Sequence, residues 1–341
     1  MKKISNIKKQ PLHQIIYIDE KQRNLLKKTV AKERYPNSDE DYEEYVMNCH
    51  IAVLSVISKD LLRELMLMRN SPFCSGTILL KGLPLDDDLP PTPLSGRRSD
   101  YFKKTSIAET ILIGLSSILG NPIGHEEEKD GNLIHDVIPV VGTDKPLSNE
   151  GAADFGLHVE NAIFEEREQF LVLSCLRTDP WKEAATPVVD IREILPYLAD
   201  EVILELQKEQ FVIRKPYILD RASGKSSYSL PVAILTGPLE FPEVRCTFYE
   251  GGTKATSIAG EEALETFKIT ANKLAHDMKT EAGDMLIINN RTALHGRKAF
   301  RISTDGNNRH LLRVYIVQSL WKIREAQKNS IRILQRAIFL K

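Results

Sequence analysis

The stretch DFGLHVENAIF, residues 154–164, decides how this chain is read, and its centre is His158-Val159-Glu160. On a β-strand, residues i and i+2 point to one face. An imidazole and a carboxylate at that spacing can approach the same ion. On a helix they would lie about 200° apart and could not. Two such ligands hold a transition metal poorly, so a third is needed from a distant segment, and LHGRKAF (294–300) offers His295. Two imidazoles and one carboxylate form a facial triad, which leaves open positions on Fe(II).

Open positions on iron suit chelation by a 2-oxo acid, whose far carboxylate would then be buried. A buried carboxylate needs a charged partner of matched geometry, and arginine supplies a fork of donors. DGNNRHLLRVYI (305–316) carries Arg309 and Arg313, whose even separation puts both on one face of a strand. Thr186, in EAATPVVD (183–190), is a candidate hydroxyl for the same carboxylate.

The surrounding sequence predicts a mainly β protein with flanking helices. Residues 1 to about 15 read as a loose basic lead, and the part up to 120 as mostly helical. Ser38 or Asp39 starts one long helix or two, TILLKGLPL (77–85) is a short buried strand, and DDDLPPTPLSGRR (86–98) is an exposed loop. IAETILIGLSSIL (107–119) is a helix between Ser106 and Gly120. From 121 to 320, short runs rich in Val, Ile, Leu and Tyr follow at close spacing, the pattern of a barrel or sandwich. One helix, about 260–283, interrupts them. A jelly roll would collect His158, Glu160 and His295 on its inner face. Residues 321–341 read as a basic amphipathic helix that packs on the barrel or on a second subunit through Ile323, Ile331, Leu334 and Ile338, which predicts a homo-oligomer. The whole, 1–341, reads as a single domain.

A net charge of −1 argues against nucleic acid or anionic membrane as a general partner. The four cysteines are scattered, without a CxxC, as in a reduced intracellular protein. No apolar run follows the basic N-terminus, and 107–119 is too short to span a bilayer, so the cytoplasm is the expected place.

Together HVENAIF, AATPVVD, GDMLIINNRTALHGR and DGNNRHLLRVYI resemble the clavaminate synthase-like branch of the Fe(II)/2-oxoglutarate oxygenases, over about residues 75–320. That resemblance implies a double-stranded β-helix (a cupin-like jelly roll) and hydroxylation of a free amino acid, with 2-oxoglutarate and O2 becoming succinate and CO2. It implies iron ligation by His158, Glu160 and His295. Arg309 would hold the 2-oxoglutarate C5 carboxylate with help from Thr186, and Arg313 would lie near cosubstrate and substrate. Ascorbate is an expected activator.

Within the branch, arginine hydroxylases place two Asp where this chain has Thr247 and Tyr249. A buried guanidinium left unpaired is costly. The resemblance therefore favours L-lysine, and the closest likeness is to bacterial lysine 4-hydroxylases; C3 of lysine, arginine and ornithine are the alternatives. His135 stands where the branch has a Gln and is a candidate contact for the amino acid head group. Glu160 could bind the substrate ammonium with its second oxygen, and Ser148 matches a substrate-loop serine. SGKSSYSL (223–230) is a candidate lid; Glu126, Glu127, Glu128, Asp154, Asp220 and Glu250 are candidates by charge alone for the substrate's distal ammonium, and the acidic run 125–130 reads most simply as a solvated loop. The rival readings are a zinc hydrolase and a barrel without catalysis.

Overall fold

The computed structural model describes residues 10–98, 102–140, 151–215, 228–327 and 330–336. Its strands, in chain order, are β1 (His13–Tyr17), β2 (Thr77–Lys81), β3 (Asn121–His125), β4 (His135–Val137), β5 (Phe155–His158), β6 (Phe170–Arg177), β7 (Thr186–Asp190) and β8 (Phe211–Ile213). There follow β9 (Leu235–Thr236), β10 (Glu243–Val244), β11 (Thr253–Ala255), β12 (His276–Met278), β13 (Met285–Asn289), β14 (Ala293–Arg297), β15 (His310–Val317) and β16 (Ile333–Leu334). The helices are α1 (Glu20–Val30), α2 (Tyr42–Leu54), α3 (Lys59–Asn70), α4 (Ile107–Leu119), α5 (Ile191–Ile194), α6 (Asp200–Leu206) and α7 (Ile258–Leu274).

Two sheets face each other, as expected of a jelly roll. The major sheet runs β1-β2-β13-β6-β15-β3-β16, with β4 also on β15; the minor sheet runs β12-β7-β14-β5. On β13, Met285 and Ile287 pack toward the N-terminal helices, while Leu286 and Ile288 pack between the sheets. Both faces of the major sheet are thus covered, which is why its strands read as unbroken apolar runs rather than alternating ones. The same alternation sends Leu311 and Tyr315 of β15 between the sheets, and Arg309 and Arg313 share their parity. A third cluster, with Leu157, Val189, Phe211 and Phe267, covers the outer face of the minor sheet. Truncating an inner residue such as Leu286 to Ala would cost about 2–5 kcal/mol.

Several expectations need correction. The lead is not loose up to residue 15: β1 begins at His13 and pairs in parallel with β2. The Ser38 stretch forms two helices, and Ser38 caps only a 3₁₀ turn, Asp39–Asp41, before α2. The loop 86–98 is not wholly exposed. Asp86 is buried and accepts the amides of Ile107 and Ala108, so it, rather than Ser106, caps α4. The helix expected over 260–283 stops at Leu274 and gives way to β12, because Ala275 takes an extended conformation.

The expected C-terminal helix is also absent among the described residues. Arg324–Ala326 is a 3₁₀ turn, and Ile333–Leu334 is β16, parallel to β3. Ile323 and Leu334 are buried in the chain's own core, and the basic residues pair inward: Arg332 with Glu43, Arg336 with Glu168. The face predicted to join two copies is thus used internally, apart from half-exposed Ile331; Ile338 lies outside the described residues. Ser148 and residues 223–227 of the expected lid lie outside them too, while Tyr228 bridges to Arg214 and bonds Gly251 O. No helix among the described residues is long and apolar enough to cross a membrane.

Candidate active site

Strand β5 ends at His158, directly opposite His295 on β14. The two rings are 4.4 Å apart between centroids. Glu160 is therefore not placed by strand pleating, as the i, i+2 argument assumed. Beyond His158 the backbone is held by substitutes for a ladder. Val159 N–H donates to Cys246 O, and Glu160 N–H donates to Asn290 Oδ1 at 2.7 Å. Asn290 Nδ2 returns a bond to Glu160 O at 3.1 Å, and Asn161 then turns the chain with a φ of 51°. The outcome is the expected convergence: one ligand atom from each of His158, Glu160 and His295 falls within 4.8 Å of the others.

The protonation states suit a cation. Burial pushes the His158 imidazolium down to about 3, helped by repulsion from His295. Burial alone would raise the Glu160 carboxyl, but the neighbouring His295 and the charge of Arg313 lower it. His158 Nδ1 donates to Gly156 O at 2.9 Å, which fixes the tautomer and leaves the Nε2 lone pair for a metal. His295 Nε2 lies 3.6 Å from Glu160 Oε1, beyond a good hydrogen bond. Two imidazoles and a carboxylate converging at this spacing fit Fe(II).

Arg309, just before β15, is 5% exposed and forms no ion pair among the described residues. Its Nη2 donates to Thr186 Oγ1 at 3.2 Å, and its guanidinium lies 5.9 Å from the Phe300 ring centre. Burial lowers its pKa. Arg297 is close enough that burial and the charge of Arg309 together bring it down to about 10. Two neighbouring guanidinium groups, of which Arg309 has no carboxylate partner among the described residues, are chemically suited to the far end of a dianion.

Arg313 is the opposite case. Its Nη2 bonds Glu128 Oε1 and His135 Nδ1, and its Nη1 lies 3.5 Å from Glu160 Oε1. Burial would lower its pKa, but Glu128 raises it strongly. Glu128 also accepts from Tyr315 Oη at 3.3 Å. Sequence reading did not single out Glu128 from its acidic neighbours or pair it with Arg313: an acid inside a run of acids reads as solvated, yet this one is buried. His135 has both ring nitrogens engaged, Nδ1 by Arg313 and Nε2 by Asn132 O, so it acts on the site through Arg313. Thr247 bridges to His158 across the backbone, and Tyr249 stacks on Phe155 with centroids 5.3 Å apart. These two candidates therefore stand on the His158 side of the metal position.

Similarity to known proteins agrees with this geometry. Residues 101–315 match the family described as "Taurine catabolism dioxygenase TauD, TfdA family". An L-asparagine oxygenase of Streptomyces coelicolor is 30% identical over 263 residues, covering 77% of each chain. An L-lysine 3-hydroxylase of Catenulispora acidiphila is 27% identical, over 76% of this chain and 72% of its own. An L-lysine 4-hydroxylase of Chitinophaga pinensis is 27% identical, over 73% and 68%. The crystal structure of an asparagine oxygenase with Fe(II), 3-hydroxyasparagine and succinate superposes with a TM-score of 0.83, at 27% identity, over 94% of this chain and 99% of that one.

Proposed function

The chain belongs to the TauD/TfdA dioxygenase family, in its clavaminate synthase-like branch, and from that premise we propose that it hydroxylates free L-lysine at C4. That it is an Fe(II)- and 2-oxoglutarate-dependent oxygenase acting on a small free amino acid is the coarser statement, which family membership carries. The single observation in the molecule that carries it is the buried, unpaired Arg309 beside the triad. A zinc hydrolase has no use for such a group, and a barrel without catalysis would not retain it.

We assign His158, Glu160 and His295 to iron, and Arg309 with Thr186 to the C5 carboxylate of 2-oxoglutarate. With O2, these groups supply an oxidant that converts a C–H bond to C–OH while 2-oxoglutarate becomes succinate and CO2. The chain's own residues fix positions, and a misplacement of 1 Å can cost about 10²-fold in rate. Arg313, locked by Glu128 and His135, presents a rigid cation to the substrate carboxylate. The second oxygen of Glu160 accepts from the substrate ammonium. Thr247 and Tyr249 line the side-chain end, Ser148 belongs to the covering loop, and ascorbate is expected to raise turnover.

Lysine is favoured because Thr247 and Tyr249 offer no carboxylate pair for a guanidinium. Asparagine is the second reading, on the likeness to the asparagine oxygenase. The test is mass spectrometry of free amino acids incubated with the protein, Fe(II), 2-oxoglutarate, ascorbate and air. Lysine alone should gain one oxygen, in step with succinate, and NMR should place it on C4. Oxygen on C3, or on asparagine, arginine or ornithine, removes the lysine C4 assignment and keeps the chemistry. No succinate from iron-loaded protein removes both.

A further inference from the structure

A second cluster of two imidazoles and one carboxylate lies away from the active site. His13 of β1, Glu193 of α5 and His276 of β12 bring one ligand atom each within 4.8 Å of one another. His13 Nε2 is 2.8 Å from Glu193 Oε2, and His276 Nε2 is 2.9 Å from Glu193 Oε1. The rings stand edge to face, 4.9 Å between centroids. We propose that His13, Glu193 and His276 form a surface site for a divalent transition metal of the zinc class, which clamps the edges of the two sheets together.

The elements that meet here make the clamp meaningful. β1 is the edge of the major sheet and β12 the edge of the minor one, while α5 follows directly from β7. His13 and Glu193 are 180 residues apart, and His276 is 83 beyond Glu193. Tertiary folding alone converges them.

Two of the three ligands are also oriented from behind. Buried Thr77 places its hydroxyl 2.7 Å from His13 Nδ1, which turns Nε2 toward the cluster, as outer-shell partners do for metal-bound histidine. Glu193 is the N3 residue of the α5 capping box, and its Oε2 accepts the Asp190 amide at 3.0 Å. Burial alone would raise the Glu193 carboxyl, but bonds from His13, the Asp190 amide and His276 lower it to about 2, so it is ionised.

Tetrahedral zinc, with bonds of about 2.0–2.1 Å to N and O, sets its ligand atoms about 3.3 Å apart. The two His–Glu distances, 2.8 and 2.9 Å, need to widen by only a few tenths of an ångström. The His276 side chain is 53% exposed, so an ion can enter and water can take the fourth position. Donors of this kind, neutral imidazole and carboxylate, are those zinc takes with one position left open.

The experiment is Zn(II) titration of metal-free protein against a chromophoric chelator. The wild type should bind two equivalents, one of them at the active-site triad. His276→Ala should bind one. The double variant His158→Ala/His295→Ala should also bind one, and in that background Zn(II) should raise the thermal midpoint, an increase that His276→Ala removes. Glu193→Gln provides a second test that keeps the side-chain volume, and it too should bind one equivalent. No bound equivalent and no rise in thermal midpoint in the His158→Ala/His295→Ala background, or stoichiometry unchanged from wild type in His276→Ala, overturns the proposal and leaves the cluster a hydrogen-bonded His–Glu–His contact.

Discussion

The molecule carries the same three side-chain types twice, at His158/Glu160/His295 and at His13/Glu193/His276, and treats them differently. In the first, the imidazoles are sealed between the sheets and Glu160 is held by Asn290 and Arg313. Arg309 forms no ion pair among the described residues. In the second, His276 is half exposed and no guanidinium among the described residues is bonded to the cluster. Ligand identity therefore does not distinguish a redox centre from a structural clamp. What distinguishes them is burial and a neighbouring place for an anionic cosubstrate.

The sharpest way to break this comparison is to remove the two glutamates in turn. Glu160→Ala should abolish Fe(II) retention and succinate formation, a loss well beyond the roughly 10–100-fold that an outer-shell change costs. Glu193→Ala should leave turnover at the wild-type level. Equal losses in the two variants would erase the distinction.

Next in size is Arg309→Ala. Truncating one partner of a buried charge interaction costs about 2–5 kcal/mol, so the KM for 2-oxoglutarate should rise by roughly 10²-fold or more. Fe(II) stoichiometry should stay unchanged. Unchanged KM would mean that the unpaired guanidinium is not the cosubstrate's anchor.

Glu128→Gln should act on the amino acid instead. It strips Arg313 of its main buried partner, and breaking a buried pair costs about 3–5 kcal/mol, less here because Glu160 remains close. A lower urea midpoint and a raised KM for the amino acid are expected, with the KM for 2-oxoglutarate steady.

The smallest effect concerns pH at the outer cluster. The Glu193 carboxyl is depressed to about 2 in the fold, against about 4.3 unfolded. A depressed carboxyl contributes stability above its unfolded value and loses it as pH falls through its folded one. Urea midpoints followed from pH 5 to pH 2 should thus fall faster for the wild type than for Glu193→Gln. Parallel curves would remove Glu193 from the ion pairs.

How much of this was legible in the sequence follows from distance along the chain. The inner site was readable because HVE is local and Arg309 and Arg313 share strand parity. Their apolar neighbours Leu311 and Tyr315 announced an inward face. Glu128 was hidden by its acidic neighbours, since only the fold decides which of three adjacent acids is buried. Asn290 was hidden because a side-chain amide standing in for a strand has no periodic signal. The outer cluster was invisible, its members being isolated residues on three elements. The C-terminal segment misled for a related reason. Its spacing of Ile and Leu suits a helix, but the carboxylates that pair Arg332 and Arg336 lie in distant parts of the chain, and they draw the backbone out along β3.

The Asn290 contact has a consequence for the order of folding. It joins residues 130 positions apart, and it sits on the short connection that crosses from β13 of the major sheet to β14 of the minor sheet, the strand that delivers His295. As the chain leaves the ribosome, His158 and Glu160 emerge long before either their clamp or their third partner. Until β14 pairs with β5 and Asn290 reaches Glu160, the nascent chain holds one imidazole and an unanchored carboxylate, too little to retain iron. Such long-range closures are slow steps in β-rich proteins. Metal capture at the inner site is thus a late event, coupled to completion of the fold, and iron in a partly assembled chain has no ligand set that could make it reactive.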